Sequence, residues 1–255
     1  MQQLKQLLFS GILGSLLVAS AATFADESSA DLVFNALIHG DRPAADAADD
    51  GRRMPLEVLA FAGIAEGMTI LELEAGGGYY TEILSRAVGS AGTVIMHSPP
   101  SFDSFSGEDI DNRLAGNRLP NVRLSKTNFN EIDAADNSVD MVTWILGPHE
   151  LWFKPGGTVD LGDPEDSFAE IARVLKPGGV FLALDHEAMA SAGPEVGGTL
   201  HRIGEGIVRE LAETAGMTLM RSSNLHKNPA DPLDNGVFDA SIQGQTSKFV
   251  LLFRK

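Results

Sequence analysis

Cysteine is absent from the 255 residues, so no disulfide, thiolate nucleophile or cysteine-built metal site is available. Passage into an oxidising compartment therefore carries no mispairing hazard. Positive charge is scarce: 19 Lys and Arg stand against 35 Asp and Glu, a formal net charge of −16. A field of that sign repels nucleic-acid phosphates and anionic lipid heads, which argues against DNA, RNA or membrane-surface substrates, and solubility alone also accounts for it. No G-x-S-x-G elbow occurs, which argues against a serine nucleophile. Histidine is sparse, with no H-x-H or H-x-x-x-H spacing, so no metal site is expected from the sequence even though His149, Asp185, His186 and His201 hold ligand atoms. Internal repeats and low-complexity tracts are absent, and no run after Ala25 is long enough to cross a bilayer.

What is present begins with Met1 to Ala25: one Lys5, an apolar run from Leu7 to Val18, then small residues up to Thr23-Phe24-Ala25. This reads as a secretory signal peptide removed after Ala25, giving an exported protein, periplasmic or extracellular, with no stable membrane insertion after cleavage. Residues 26–54 alternate short apolar stretches with Asp and Ala clusters and read as an N-terminal helical extension, a lid or a brace. Residues 55–255 read as one domain, for which 44% hydrophobic content is ample core.

The most informative stretch is Ile70 to Glu82, I-L-E-L-E-A-G-G-G-Y-Y-T-E. A buried strand breaks into a glycine loop and then a helix, where backbone without Cβ approaches a ligand closely and the helix N-terminus offers free N–H groups. A plain turn is the competing reading. A second segment, Ser167 to Asp185, places apolar residues at helical spacing through Leu175, stops at Pro177-Gly178-Gly179, and runs into a strand ending at Asp185. Strands are expected at 69–73, 93–96, 122–126, 140–146, 180–185, 217–222 and 248–253, with helices at 55–65, 80–88 and 200–215. Strands alternating with helices imply parallel pairing with right-handed crossovers, an α/β doubly wound sheet of about seven strands. Ligands of such sheets sit beyond the carboxyl ends of the strands. The candidates there are Glu72, Glu74 and Gly76 to Gly78 after strand one, His97 and Ser98 after strand two, Asn128 and Phe129 after strand three, Gly147 to Glu150 after strand four, and Asp185 and His186 after strand five. A dinucleotide would suit Gly76-x-Gly78-x-x-Thr81, but Glu74 repels a pyrophosphate in that turn and strand two ends without an acidic residue for a ribose.

The glycine loop and R-V-L-K-P-G-G before the fifth strand resemble the class I S-adenosylmethionine (SAM)-dependent methyltransferases. G-G-G-Y-Y-T-E, D-H-E-A at 185–188, T-L-H-R-I at 199–203 and the ending K-F-V-L-L-F-R-K resemble an exported, signal-bearing branch of that superfamily. The resemblance implies SAM as cofactor and a Rossmann-like fold with helices on both faces. It implies that Glu72 holds the SAM ammonium, that Glu74, Ala75, Gly76, Gly77, Gly78 and Tyr79 surround its methionine part, that His97 or Ser98 meets the ribose, and that Asn128 with Phe129 borders the adenine; Asn128 also reads as a turn residue and Phe129 as core. Glu74 stands where the family has glycine, and Ser98 where it has an acid. His149, Asp185 and His186 are the catalytic candidates, with Asp185-His186 as the expected base pair and His149 as a residue shaping the acceptor pocket. The expected function is methyl transfer to a small or lipophilic acceptor outside the cytoplasm. The alternative is an exported, non-catalytic binding protein that keeps the fold for another small molecule. The sequence leaves the oligomeric state open.

Overall fold

The computed structural model describes residues 20–255; the expected signal peptide lies outside the described residues up to position 19. Seven strands form one sheet: β1 (Thr69–Leu73), β2 (Thr93–His97), β3 (Val122–Ser125), β4 (Val139–Ile145), β5 (Leu175–His186), β6 (Thr218–Ser223) and β7 (Lys248–Arg254). Their order is β3-β2-β1-β4-β5-β7-β6. The first five pair in parallel and β7 inserts antiparallel between β5 and β6. The strand order reverses between β1 and β4, so the carboxyl ends of these two strands open a crevice.

Strand pleating sorts the core. Ile70, Val94, Met141, Leu182 and Val250 face one apolar cluster, and their neighbours Leu71, Ile95, Val142, Phe181 and Leu251 face the other. Both faces are buried, as a parallel sheet requires. The first face is covered by α1 (Ser20–Leu37), α3 (Pro55–Ala62) and α4 (Tyr79–Val88), with α2 (Ala47–Arg53) in the same N-terminal region. Beyond them in the chain come α5 (Asp103–Leu114), α6 (Pro164–Val174), α7 (Gly197–Leu200) and α8 (Glu205–Thr214), of which α6 and α8 cover the opposite face. No helix among the described residues is long and apolar enough to cross a membrane.

The stop expected at Pro177-Gly178-Gly179 is an irregularity inside β5. Leu175 pairs with Val139 and Val180 with Met141, so 176–179 bulge out with Gly178 at φ 82°. The helix expected at 200–215 is two helices, because His201 at φ 54° ends α7 and the chain restarts at Glu205. The N-terminal extension is a brace: Arg42 makes a two-pronged pair with Asp50, which accepts the Tyr79 hydroxyl at 2.6 Å. Arg113 of α5 forks onto Asp46 and also reaches Glu82, which pairs with Arg118 as well. These bonds tie α2, α4 and α5 together around the glycine loop.

Candidate functional site

After β1 the chain turns at Glu74, which adopts φ 53°, and continues through Gly76 at φ 54° and Gly78 at φ 80° into α4. Three successive glycines make this turn accessible at little strain, whereas Glu74 carries a left-handed cost of about 1–2 kcal/mol. Glu74 does not point at the glycine loop. Its Oε2 accepts a 3.1 Å hydrogen bond from the buried Trp144 indole at the end of β4. Burial, and then the nearby Glu150, hold its carboxyl well above the ordinary range. Glu72 is buried one turn below and accepts the Thr81 hydroxyl at 2.5 Å.

Two cavities meet here. One, of about 720 Å³, runs along Glu72, Ala75, Gly76, Gly77 and Tyr79 and is walled by Asp46 and Arg113. The other, of about 540 Å³, is lined by Phe102, Phe105, Phe153, Phe238 and the histidines 149, 186, 201 and 226. Glu74, Gly76, Tyr80, Ile145 and Leu146 border both, so a ligand in one chamber lies next to a ligand in the other.

The second chamber holds a polar cluster. His149 follows β4 in a single 3₁₀ turn, Pro148–Trp152. Asp185, at the end of β5, accepts the His149 backbone N–H at 2.8 Å and its ring Nδ1–H at 2.8 Å, fixing both position and tautomer. The other ring nitrogen, Nε2, lies 3.2 Å from His201 Nδ1 and 3.2 Å from Glu150 Oε1. His201 is brought there by Gly197 and Gly198: a Cβ on Gly197 would sit 2.5 Å from the His149 carbonyl, and one on Gly198 would strike the Trp152 carbonyl. Only glycine lets α7 lie this close to the turn. Burial alone would lower the His149 pKa, but the Asp185 and Glu150 carboxylates outweigh it and raise it to about 10. Against the same burial, His149 and His201 hold Glu150 down to about 2.

The expected partner of Asp185 is therefore corrected. His186 does not pair with it; its Nδ1 lies 2.7 Å from Thr246 Oγ1, and burial followed by the positive His149 and Lys248 pushes its pKa down to about 2. Adjacent strand side chains point to opposite faces, so the Asp185 carboxylate takes only the backbone N–H of His186, at 2.7 Å, and not its ring. His149, the third catalytic candidate, is the residue whose ring Asp185 holds.

Four residues expected beside the cofactor line neither cavity. His97 is fully buried, with burial lowering its pKa to about 4; its carbonyl accepts the Ala75 N–H at 2.8 Å, so it supports the glycine loop from beneath. Ser98 is buried, its N–H bonded to the Ser125 carbonyl. Phe129 is core, 4.7 Å from the Trp144 ring, and Asn128 closes a turn by accepting the Glu131 N–H. The sequence put His149 beside Glu150 and placed His201 among possible ligand residues, but the lack of close spacing gave no metal site; the signal that the three meet was the Gly197-Gly198 pair placed just before His201.

Glu72 gives a pH prediction. Burial, against the Thr81 hydrogen bond, raises its pKa from 4.5 to about 8. Between those values the unfolded chain loses a proton that the folded chain keeps, so this residue makes stability fall as pH rises from about 4.5 to about 8. Glu72→Gln removes the titration and keeps an acceptor for Thr81. Denaturant melts should show the variant gaining on the native protein steadily across that window. A constant gap between the two curves would mean that Glu72 is ionised in the folded state.

Residues 71–183 match the protein family described as "Methyltransferase domain". The ubiquinone/menaquinone biosynthesis C-methyltransferase UbiE of Stutzerimonas stutzeri is 31% identical over 129 residues, 50% of this chain and 45% of that one. UbiE of Klebsiella pneumoniae is 30% identical over 126 residues, 49% and 45% of the two chains. The chain thus spans about half the length of the curated relatives it matches. A SAM-dependent methyltransferase from Aquifex aeolicus superposes with a TM-score of 0.57 at 25% identity, covering 82% of this chain and 95% of that one. An arsenic(III) S-adenosylmethionine methyltransferase from Chlamydomonas reinhardtii shares the fold, with a TM-score of 0.53 at 20% identity over 88% and 72% of the chains. The strand order and the glycine loop after β1 give the chain the class I SAM-dependent methyltransferase fold, and residues 71–183 are similar to a methyltransferase domain of that superfamily, whose cofactor is SAM.

Proposed function

We infer that the protein is a SAM-dependent methyltransferase acting on a small or lipophilic acceptor, and that it does so outside the cytoplasm. The observation that carries this reading is the pair of adjoining cavities, one on the glycine loop and one lined by phenylalanines and histidines, with a shared border at Glu74, Gly76 and Tyr80. The glycine-loop chamber fits the methionine end of SAM. A Cβ on Gly76 would meet nothing within 4 Å, so that backbone faces open space, and beside it stands Glu72, a carboxyl that burial keeps protonated in the free protein and that an arriving ammonium would ionise. When bound, SAM supplies a sulfonium-activated methyl group.

The chain's own part is alignment. Placing an acceptor in line with a reacting centre can be worth several kcal/mol, and a base is needed only where the acceptor must lose a proton. Phe102, Phe153, Val237 and Phe238 favour an apolar acceptor body, and His201 and Glu150 offer hydrogen-bonding atoms at its polar end beside the positive His149. Export rests on the charged start, apolar centre and small-residue end of residues 1–25; N-terminal sequencing of the mature protein should begin near Asp26.

Titration calorimetry of the mature chain with SAM and S-adenosylhomocysteine tests the reading. Both should bind, and Glu72→Ala should weaken SAM at least 10-fold, the scale of one hydrogen bond to a charged group. A second reading draws on the burial of His97 and Ser98, which leaves no expected ribose partner facing a cavity: an exported binding protein for another small molecule. Absence of SAM binding in a folded sample would favour it.

A further inference from the structure

Three ligand atoms from two separate loops meet at the inner end of the phenylalanine-lined cavity. His149 Nε2 and His201 Nδ1 are 3.2 Å apart, His149 Nε2 and Glu150 Oε1 3.2 Å, and His201 Nδ1 and Glu150 Oε1 3.5 Å. We propose that His149, Glu150 and His201 form a three-ligand site for a divalent zinc-class cation, with its fourth position open to this cavity.

The triangle has the right size. Zinc with nitrogen and oxygen arms of about 2.0–2.1 Å places tetrahedral ligands about 3.3–3.4 Å apart, and right-angled octahedral neighbours only about 2.9 Å apart. The observed edges lie on the tetrahedral value. Two imidazoles with one carboxylate also suit a borderline cation better than the hard oxygen-seeking magnesium or calcium.

The surroundings are those of a built site. Asp185 takes the Nδ1–H of His149, so the Nε2 lone pair faces the other two ligand atoms. A carboxylate behind a ligating imidazole is the usual way of fixing its tautomer and raising its basicity. Glu150 is nine-tenths buried, and its second oxygen, Oε2, has no hydrogen-bond partner. A buried carboxylate oxygen left unpaired is costly, and a bound cation offsets that cost. The glycine pair at 197–198 holds His201 against the turn that carries His149 and Glu150, so the three atoms sit on locked backbone. Two carboxylates around two imidazoles attract positive charge, and the cation takes the place of the proton that otherwise binds there.

The site stands on its own geometry; only the use of its open position rests on the methyl-transfer reading. There it would bind the oxygen or sulfur of an acceptor and lower its pKa, so that the proton passes to solvent water before the methyl group is accepted.

The test uses the whole mature chain, stripped with chelator and titrated with Zn²⁺ and separately with Co²⁺. One equivalent should bind, the cobalt form should show the strong visible bands of four-coordination, and zinc should raise Tm. His201→Ala, at a part-exposed position that should fold, and His149→Ala should each weaken binding 100-fold or more. Asp185→Asn should weaken it about 10- to 100-fold, as loss of a supporting carboxylate does. His39→Ala, at an exposed histidine outside the cavity, should leave metal binding unchanged. Failure to bind either metal, or binding that survives both ligand variants, overturns the proposal. SAM titration of the same stripped sample reads the methyltransferase inference separately.

Discussion

Asp231→Ala should cost about 3–5 kcal/mol of folding stability, the scale for stranding one member of a buried ion pair. Arg202 and Asp231 are both fully buried at the side chain and form a two-pronged pair at 2.9 and 3.0 Å. Two more guanidinium hydrogens are taken by the Asn235 and Glu187 carbonyls. Asp231 also accepts the Ser247 and Leu233 backbone N–H groups. Removing the carboxylate leaves a buried cation without its counter-charge and frees two backbone donors. The loss is a large fraction of the 5–15 kcal/mol typical of a domain.

The consequence reaches the site. Residues 231–247 form the strap between β6 and β7 that supplies Val237, Phe238, Gln243, Gly244 and Thr246 to the acceptor-side cavity. Asp231 pins both ends of that strap, so its loss should expose the segment to limited proteolysis well below the melting temperature. Replacing both partners by apolar residues, Arg202→Met with Asp231→Leu, should recover much of the stability, because no charge is then left unpaired. A single Asp231→Ala variant that melts like the native protein would show that the pair contributes nothing net.

The sheet was legible because its signals are local. Strand β1, the glycine loop and α4 are written in contiguous residues, and β5, with the Pro-Gly irregularity inside it, directly follows the helical period of α6. What was illegible depends on contacts between distant segments. Helix α5, D-S-F-S-G-E-D-I-D-N-R-L, buries only Ser106 and Ile110 and carries no clear apolar period. It is held by Arg113 reaching Asp46 and Gly77, which no spacing rule reveals. Asp185 and His186 looked like a pair because they are neighbours in sequence; on a strand that is the reason they diverge. His97 stands at the expected strand end, but the Ala75 N–H closes over its carbonyl, so position beyond a strand did not guarantee access to the crevice. The His149, Glu150 and His201 cluster needed the close approach of α7, whose only trace in sequence is two adjacent glycines.

Gly147 offers the second large effect, and it is purely steric. Its φ of −132° is open to any residue, so no backbone strain attends a substitution. A Cβ there would overlap the Trp144 indole and the Glu74 carboxyl. Neither can yield easily: the indole is fully buried, wedged 4.7 Å from Phe129 and 6.1 Å from Phe168, and Glu74 is its hydrogen-bond partner. Gly147→Ala should therefore cost about 1–3 kcal/mol through overpacking. A further cost of about 1–3 kcal/mol follows where the Trp144–Glu74 bond breaks and leaves a buried carboxyl unpaired. Near-ultraviolet circular dichroism should report the displaced indole, since the chain has only 2 Trp. Trp144→Phe removes the indole nitrogen, the atom nearest the new methyl, and frees the Glu74 carboxyl to move aside, so the double variant should be more stable than the sum of the single losses predicts, by about 1 kcal/mol or more. Strictly additive losses would mean that the methyl is accommodated away from the indole.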